Sequence, residues 1–474
     1  MSNTYLAVYG HFYQPPREDP FTGAVPHEPG AAPYHDFNEK IYAECYEPNA
    51  RAGNFERISF NIGPTLATWL ERAHPATYQA IIAADRTHYR RYGYGNALAQ
   101  AYNHTILPLA TAHEKRTQIA WGLADFRRRF GRDAEGMWLP ETAVDMETLT
   151  LLAEQGVRYT VLAPWQADVP DGTLDPTEPY LVRLPHGGTI TVFFYEAGLS
   201  GDVSFNSDMT SDATRFTADC LPHHLNADKA RRGDPQVLLI ATDGELYGHH
   251  KPFRDMFLTH LLTVDAQQYG FQPVSLARYL RLHPPTREIA IRDNTAWSCH
   301  HGVARWSVGC PCTEGGSAWK KPLREALTEL AAAADRVVGD RAALLLKQPW
   351  EAIDGSLALR GGASSSREYW NAYARAAVDL SRDDIAALDG LAQAFFTRQA
   401  LMTSCAFFFE DLDRIEPRIV LANACKLLAL IEQAAGVSLY EPFLTRLAAI
   451  HGADANLMAR DLFDEVATRE LRAA

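Results

Sequence analysis

The sequence has no excess of positively charged residues, no long apolar run and no set of cysteines spaced for disulfide bonds. Lys and Arg total 45 against 58 Asp and Glu, so the net charge of -13 offers no broad basic surface to nucleic acid. No run approaches the roughly 20 apolar residues that span a bilayer, and residues 1–16 show no secretory pattern. Seven scattered cysteines do not form a disulfide framework. We therefore expect a cytoplasmic protein that binds neither nucleic acid nor membrane; its oligomeric state stays open.

The residues that are present predict a large globular protein. Hydrophobic residues make up 47% of the 474 residues, enough to bury the cores of more than one domain. Short apolar runs recur through the first 245 residues, each followed by a helical stretch. This βα repetition predicts an α/β fold, and about seven runs indicate an incomplete (β/α)7 barrel. The runs cover residues 5–9, 58–60, 118–121, 137–139, 159–162, 189–194 and 237–240.

The second half of the chain has a different pattern. From about residue 320, Ala-rich and Leu-rich stretches carry apolar residues three and four apart, which is typical of amphipathic helices. We expect a barrel domain over 1–285 and a mainly helical domain over 286–474 that contributes to the active-site cleft. In parallel α/β barrels the loops after the strands gather at one face. His11, Glu141 and Asp243 each follow a run and would share one pocket.

The segment GMWLPETAVD, residues 136–145, places Glu141 directly after a predicted strand. A carboxylate beside Trp138 at a strand end suits a nucleophile that cleaves sugars. The alternative is a surface Glu in the first turn of the next helix, where the helix dipole favours negative charge. Taken alone, the segment favours the surface Glu.

The segment QVLLIATDGELYGHH, residues 236–250, ends a predicted strand at Asp243. Glu245, His249 and His250 follow on the same loop, and adjacent histidines cannot easily aim at one point. An Asp-Gly turn and a metal site are the alternatives. Pairing this loop with Glu141 favours a catalytic function.

The first strand leads into GHFYQPP, residues 10–16, which contains His11 and Gln14. A lone His at a strand end is more often structural than catalytic. A His-x-Asp arrangement here would suit a divalent ion, but Tyr13 stands at the Asp position. We therefore expect no metal and no cofactor.

Two further segments are predicted to shape the pocket. One contains His104, and the other, DNTAWSCHHGVARWSVGCPC, contains Trp297, His301, Arg305 and Trp306. Rings stack on sugar faces, whereas core packing is the alternative for each Trp. Cys299, Cys310 and Cys312 with nearby histidines could also form a structural zinc site, although a C-x-C pair without a second spaced pair is a weak signal.

Together, the segments GHFYQPP, NHTILPL, GMWLPETAVD, ATDGELYGHH and WSCHHGVARW resemble the ordered motifs of glycoside hydrolase family 57. The resemblance covers most of the chain and is strongest to a bacterial subgroup. It implies an incomplete (β/α)7 barrel with a helical C-terminal region, a retaining mechanism on α-glucans and no metal. By the match, Glu141 is the nucleophile and Asp243 the general acid/base. The implied sugar-binding residues are His11, Gln14, His104, Trp138, Glu245, His249, Trp297, His301 and Trp306.

Departures from the subgroup pattern bear on the substrate. Glu196 stands where an Asp is expected, and Ala406 and Phe407 replace an expected Gly-Trp. Three other functions stay open. The first is an α-glucan transglycosylase, which would be a 4-α-glucanotransferase or a branching enzyme. The second is a metal-dependent hydrolase, and the third is a non-catalytic glycan-binding protein. For a retaining enzyme we expect the two carboxyl groups to lie roughly 5 to 5.5 Å apart.

Overall fold

The computed structural model describes residues 3–169, 172–312, 315–362, 365–376, 378–454 and 456–473. The chain forms two compact units. The first comprises Met1–Pro16 and Pro26–Gly302, and the second comprises Arg17–Val25 and Val303–Ala474. Among the described residues, no helix combines the length and the apolar character needed to cross a membrane.

The first unit contains the strands. The longest are the two that carry the predicted strand-end residues His11 and Asp243, and several others are only two residues long. In chain order they are β1 (Thr4–Phe12), β2 (Ser59–Ile62), β3 (Ala97–Gln100), β4 (Met137–Trp138), β5 (Tyr159–Leu162), β6 (Ala167–Asp168), β7 (Tyr180–Arg183), β8 (Thr189–Phe194), β9 (Gln236–Asp243), β10 (Gln272–Pro273) and β11 (Ala290–Ile291).

Seven of the described strands run parallel around an incomplete barrel in the order β1, β2, β3, β4, β5, β8, β9. Continuous parallel ladders join β9 to β1, β1 to β2 and onward to β4, and also β5 to β8. A single bridge between Gly136 and Tyr159 links β4 to β5. The Glu196 N–H donates to the Leu239 carbonyl at 2.8 Å, which links β8 to β9. The predicted fold class, an incomplete (β/α)7 barrel, is confirmed.

The remaining strands extend this arrangement at its margins. Strand β10 pairs parallel to the start of β1, and β7 pairs antiparallel to β8. Strands β6 and β11 form a separate antiparallel pair. In β1 and β9 nearly every residue is buried, because strands of a parallel sheet are covered on both faces.

Helices surround the strands of the first unit. Several start at a proline or at a capping side chain; Thr111, for example, forms a capping box with Glu114 at the start of α5. A π-turn, Tyr42–Tyr46, joins the first two helices. The helices are α1 (Phe37–Ile41), α2 (Glu47–Ala52), α3 (Pro64–Ala73), α4 (Pro75–Tyr92), α5 (Ala112–Phe130), α6 (Met146–Glu154), α7 (Ala197–Phe205), α8 (Ala213–Arg215), α9 (Ala227–Arg232), α10 (Arg254–His260), α11 (Ala266–Gln268) and α12 (Leu276–Leu282).

The strand predicted at residues 118–121 is wrong, because this segment lies inside α5. Gln118, Ile119, Trp121 and Gly122 are buried together, which is the spacing of one helix face. The strand at this place in the barrel is β3, with the sequence ALAQ. It contains no β-branched or aromatic residue, and its composition therefore gives little β signal.

The second unit is helical, as the Ala-rich and Leu-rich pattern predicted. Its long helices α13, α17 and α18 pack against one another. The buried residues of α18 recur at helical spacing, for example Val420, Ala424, Leu427 and Ile431. The helices are α13 (Lys320–Leu345), α14 (Pro349–Gly355), α15 (Leu357–Arg360), α16 (Ser366–Tyr373), α17 (Arg382–Gln399), α18 (Ile415–Ala435), α19 (Tyr440–Leu447) and α20 (Ala459–Ala473).

Candidate active site

The Glu141 carboxylate is presented by a turn that follows strand β4. The turn begins at Pro140, and the Glu141 backbone is left-handed, with φ 57° and ψ 20°. The carboxylate accepts hydrogen bonds from the Trp297 indole N–H at 3.0 Å and from the Ser298 hydroxyl at 2.6 Å. Donors aimed at a carboxylate favour its charged form. This environment suits a carboxylate nucleophile.

The next residue, Thr142, has a left-handed backbone as well, with φ 49°. This conformation is unfavourable for a β-branched residue. The buried Gln166 stabilises it by two hydrogen bonds of 2.8 Å: its Oε1 accepts from the Thr142 hydroxyl, and its Nε2 donates to the Thr142 carbonyl. Strained residues held in this way cluster at functional sites. Gln166 therefore fixes the turn that carries Glu141.

Asp243 ends strand β9 and lies opposite His11 in the register with β1. Solvent reaches its side chain. Protein atoms nevertheless crowd it, and desolvation raises its pKa to about 7, with the negative charge of Glu141 as the second cause. A carboxyl in a recess has both properties, and the crowding supports the upward direction of the shift. Asp243 can therefore hold a proton near neutral pH, as a general acid must.

A third carboxyl belongs to Glu245, on the short 3-10 helix Gly244–Leu246 that follows Asp243. It is buried, and its Oε1 accepts from the Tyr46 hydroxyl at 2.7 Å and from the Tyr13 backbone N–H at 3.2 Å. Burial raises the pKa of Glu245 to about 8, with the charge of Asp243 as the second cause. These contacts hold Glu245 in place beside Asp243.

His11 is oriented by a buried amide, Asn61. The Asn61 Oδ1 accepts from His11 Nδ1 at 2.9 Å and from the Tyr9 hydroxyl at 2.6 Å, while Nδ2 donates to Gln100 Oε1 at 2.7 Å. This network fixes the amide orientation, so His11 carries its proton on Nδ1. Burial lowers the pKa of His11 to about 4, and the hydrogen bond with Asn61 opposes this more weakly. His11 is therefore neutral at pH 7.

His104 lies beside His11, with the two ring planes 15° apart. Their Nε2 atoms lie 3.1 Å apart, and because His11 Nε2 bears no proton in this tautomer, His104 Nε2 donates to it. The His104 backbone is left-handed, with φ 55°, and its ring stacks on Tyr13 at a centroid distance of 3.8 Å. Burial lowers the pKa of His104 well below its usual value, with His11 as the second cause.

The two predicted tryptophans form the connection between these residues and Glu141. Trp138 is fully buried and stacks on Tyr9 at 4.7 Å and on His11 at 5.1 Å. The half-buried Trp297 packs its edge against Trp138 at 5.0 Å while its N–H binds Glu141. Trp138 thus packs beneath His11 and Trp297. Direct contact of its ring with a sugar stays a prediction.

Gln14 and His249 reach the same region through other contacts. The buried Gln14 side chain is hydrogen-bonded to Tyr46, the residue that also binds Glu245. His249 lies on the loop after Asp243. A continuous set of contacts and charge interactions therefore brings together Glu141 and Asp243 with seven predicted sugar-binding residues: His11, Gln14, His104, Trp138, Glu245, His249 and Trp297.

The other predicted residues have different surroundings. His301 is exposed in the first unit, and Trp306 is fully buried in the second unit, 6.3 Å from the Phe408 ring. Their sugar-binding roles stay predictions. Cys299 is buried in the first unit, whereas Cys310 and Cys312 are half-buried in the second. The zinc site stays a prediction as well.

Sequence reasoning did not identify five residues that organise this site. Asn61 directly follows the apolar run 58–60, and Ser298 lies inside the WSCHH segment. No recognisable motif contains Gln166, Glu44 or Tyr46. Their effect comes from contacts with residues far away in the sequence, which local spacing does not reveal. A polar residue at a strand end was the only available signal, and it applied to Asn61.

Two carboxyl groups beside aromatic rings at one end of a parallel barrel fit the class of glycoside hydrolases, which act through a pair of carboxyl groups. The family profile described as glycosyl hydrolase family 57 matches residues 25–292, more than half of the chain, so the protein belongs to this family. A second profile, a domain of unknown function (DUF3536), matches residues 316–468. No curated protein matches this chain. The predicted family and the prediction of an enzyme of this family are confirmed.

Solved structures of low sequence identity share the fold. An exo-type maltose-forming amylase from Pyrococcus sp. ST04 matches with a TM-score of 0.75 and 14% identity over 98% of this chain and 88% of its own. A branching enzyme from Thermococcus kodakaraensis matches with a TM-score of 0.65 and 16% identity over 99% of this chain and 94% of its own. A 4-α-glucanotransferase from Thermococcus litoralis matches with a TM-score of 0.55 and 16% identity over 91% of this chain and 60% of its own.

Proposed function

We propose that the protein is a retaining glycoside hydrolase that acts on α-1,4-linked glucosyl units, with Glu141 as nucleophile and Asp243 as general acid/base. One observation carries this proposal: two interacting carboxyl groups have opposite environments. Glu141 accepts two hydrogen bonds that favour its anion, whereas the pKa of Asp243 is raised to about 7 by desolvation and by Glu141. In glycosidases, two carboxyl groups with opposite environments of this kind act as the acid and the nucleophile.

In the first step, the Glu141 carboxylate attacks the anomeric carbon while the glycosidic C–O bond breaks. Asp243 gives its proton to the departing oxygen, and a glucosyl ester on Glu141 remains. The Trp297 and Ser298 donors hold the attacking carboxylate in position, which reduces the entropy lost in reaching the transition state.

In the second step, the Asp243 carboxylate removes a proton from an incoming hydroxyl, which attacks the anomeric carbon and frees Glu141. Water as the acceptor gives hydrolysis, whereas a sugar hydroxyl gives transglycosylation. The neutral imidazoles of His11 and His104 add no charge to the site. α-Glucans as substrates are supported by the family and by the activities named for the structural relatives.

The proposal is tested by incubating the protein and its Glu141→Gln variant with maltooligosaccharides, glycogen and pullulan, and following the products by NMR. We expect wild-type protein to release the α-anomer first and the variant to lose activity. Chain-length redistribution without new reducing ends would identify the transglycosylase instead. Sugar binding without turnover would identify a glycan-binding protein, and release of the β-anomer first would contradict retention.

A further inference from the structure

The helix next to the loop after Asp243 contains a π-turn. Helix α1 continues through Tyr42–Tyr46 directly into α2. A π-turn adds one residue to a helical turn and is frequent at functional sites. Side chains of this turn contact residues 243–250, which we call the acid loop because it begins at the proposed general acid.

Two side chains of the π-turn bind ionisable groups of the acid loop. Glu44 Oε2 lies 2.5 Å from His249 Nδ1. Two residues later, the Tyr46 hydroxyl donates to Glu245 Oε1 at 2.7 Å. The π-turn therefore contacts two residues that the family resemblance assigns to sugar binding.

The backbone of the acid loop is fitted closely to the same helix. Gly248 has φ 144°, and a Cβ added there would lie 2.1 Å from the Glu44 carbonyl oxygen, so no other residue fits without a backbone shift. The Asn49 Nδ2, one turn further along, donates to the Tyr247 carbonyl at 2.6 Å. The main-chain position of the acid loop is thus fixed without the Glu44 side chain.

We propose that Glu44 is a positioning residue for the reaction and acts through His249. A carboxylate can only accept, so His249 carries its proton on Nδ1, the nitrogen that faces Glu44. The neutral ring then has Nε2 as an acceptor for a sugar hydroxyl, and the carboxylate fixes both the tautomer and the ring orientation. This inference rests on the proposed function, because it requires that His249 contact the substrate.

The exposure of the pair supports an orienting effect over a stabilising one. The Glu44 side chain is 34% exposed and that of His249 is 14% exposed. A side-chain hydrogen bond that keeps this contact with water adds little to the free energy of unfolding. Since Asn49 and Gly248 already fix the loop, the direction of the imidazole is what Glu44 adds.

The test combines the His249 ring 15N signals, assigned with His249→Gln, with kcat and KM on a maltooligosaccharide. Glu44→Ala should remove the preference for the Nδ1–H tautomer and lower kcat/KM by roughly tenfold to a hundredfold, because misplaced groups cost about this much. Glu44→Gln, whose amide oxygen can still accept from Nδ1–H, should restore the tautomer and most of kcat/KM.

Glu47→Ala is the matched control. Glu47 lies on α2, is also 34% exposed, and pairs with Arg51 at 3.0 Å. It should leave both readouts unchanged. Unchanged 15N signals in Glu44→Ala would overturn the proposal, and so would an unchanged kcat/KM. The 15N readout needs no turnover. If the wild type shows no glycosidase activity but the tautomer changes in Glu44→Ala, the proposed function and the positioning role of Glu44 in the reaction are both refuted, and the Glu44–His249 contact itself is still established.

Discussion

The loops that carry Glu141 and Asp243 are held in place by different means. Glu141 lies on a strained turn whose left-handed backbone is stabilised by Gln166, a residue 24 positions from Thr142. Asp243 ends a regular buried strand, and the loop after it is held by a helix about 200 residues away in sequence. The proposed nucleophile therefore lies on a strained backbone that polar side chains hold, whereas the proposed acid ends a regular strand whose following loop packs against a helix.

The largest expected effect is a loss of kcat, and it distinguishes the acid role of Asp243 from the nucleophile role of Glu141. Asp243→Asn should lower kcat on maltooligosaccharides by roughly 10⁴-fold, since losses of this size follow removal of a catalytic group. With an aryl glucoside whose leaving group needs no proton, the first step should survive and the glucosyl ester should accumulate. Mass spectrometry of the intact protein would detect the ester. An Asp243→Asn variant with wild-type kcat on maltooligosaccharides would show that another group is the acid.

A smaller effect is expected when the strained turn loses its support. Gln166→Ala removes the two hydrogen bonds to Thr142, so the Glu141 carboxylate should shift and kcat should fall by roughly a hundredfold. The free energy of unfolding should fall by about 1 to 3 kcal/mol, because buried polar groups lose partners. Urea denaturation and steady-state kinetics measure the two effects. Gln155→Ala, whose side-chain amide donates to the Arg116 carbonyl, is the control.

The last expected effect is on stability rather than on rate and concerns the pH dependence around the acid loop. Glu245 has a pKa raised to about 8 in the folded protein, so the folded state holds this proton more tightly than the unfolded state. Its contribution to the free energy of unfolding is present below the unfolded pKa, near 4.5, and is lost as the pH rises to about 8. Glu245→Gln should therefore flatten the decline in Tm between pH 5 and pH 8. An equally steep decline in this variant would contradict the assignment.

The sequence predicted the barrel and both carboxyl groups because each lies at the end of a short apolar run. The same logic failed for β3, whose Ala-Leu-Ala-Gln sequence has no strand-forming residue. Glu44 and Gln166 could not be predicted for a different reason: they act through tertiary contacts that no local spacing encodes.

The amide of Asn61 has a consequence for reading rate measurements. It holds a buried imidazole pair whose pKa values lie at about 4 for His11 and well below the usual value for His104. Neither ring of that pair changes charge between about pH 5.5 and pH 8. An inflection in kcat/KM near pH 7 would thus not come from these histidines, and it can be assigned to the Asp243 carboxyl by its loss in Asp243→Asn.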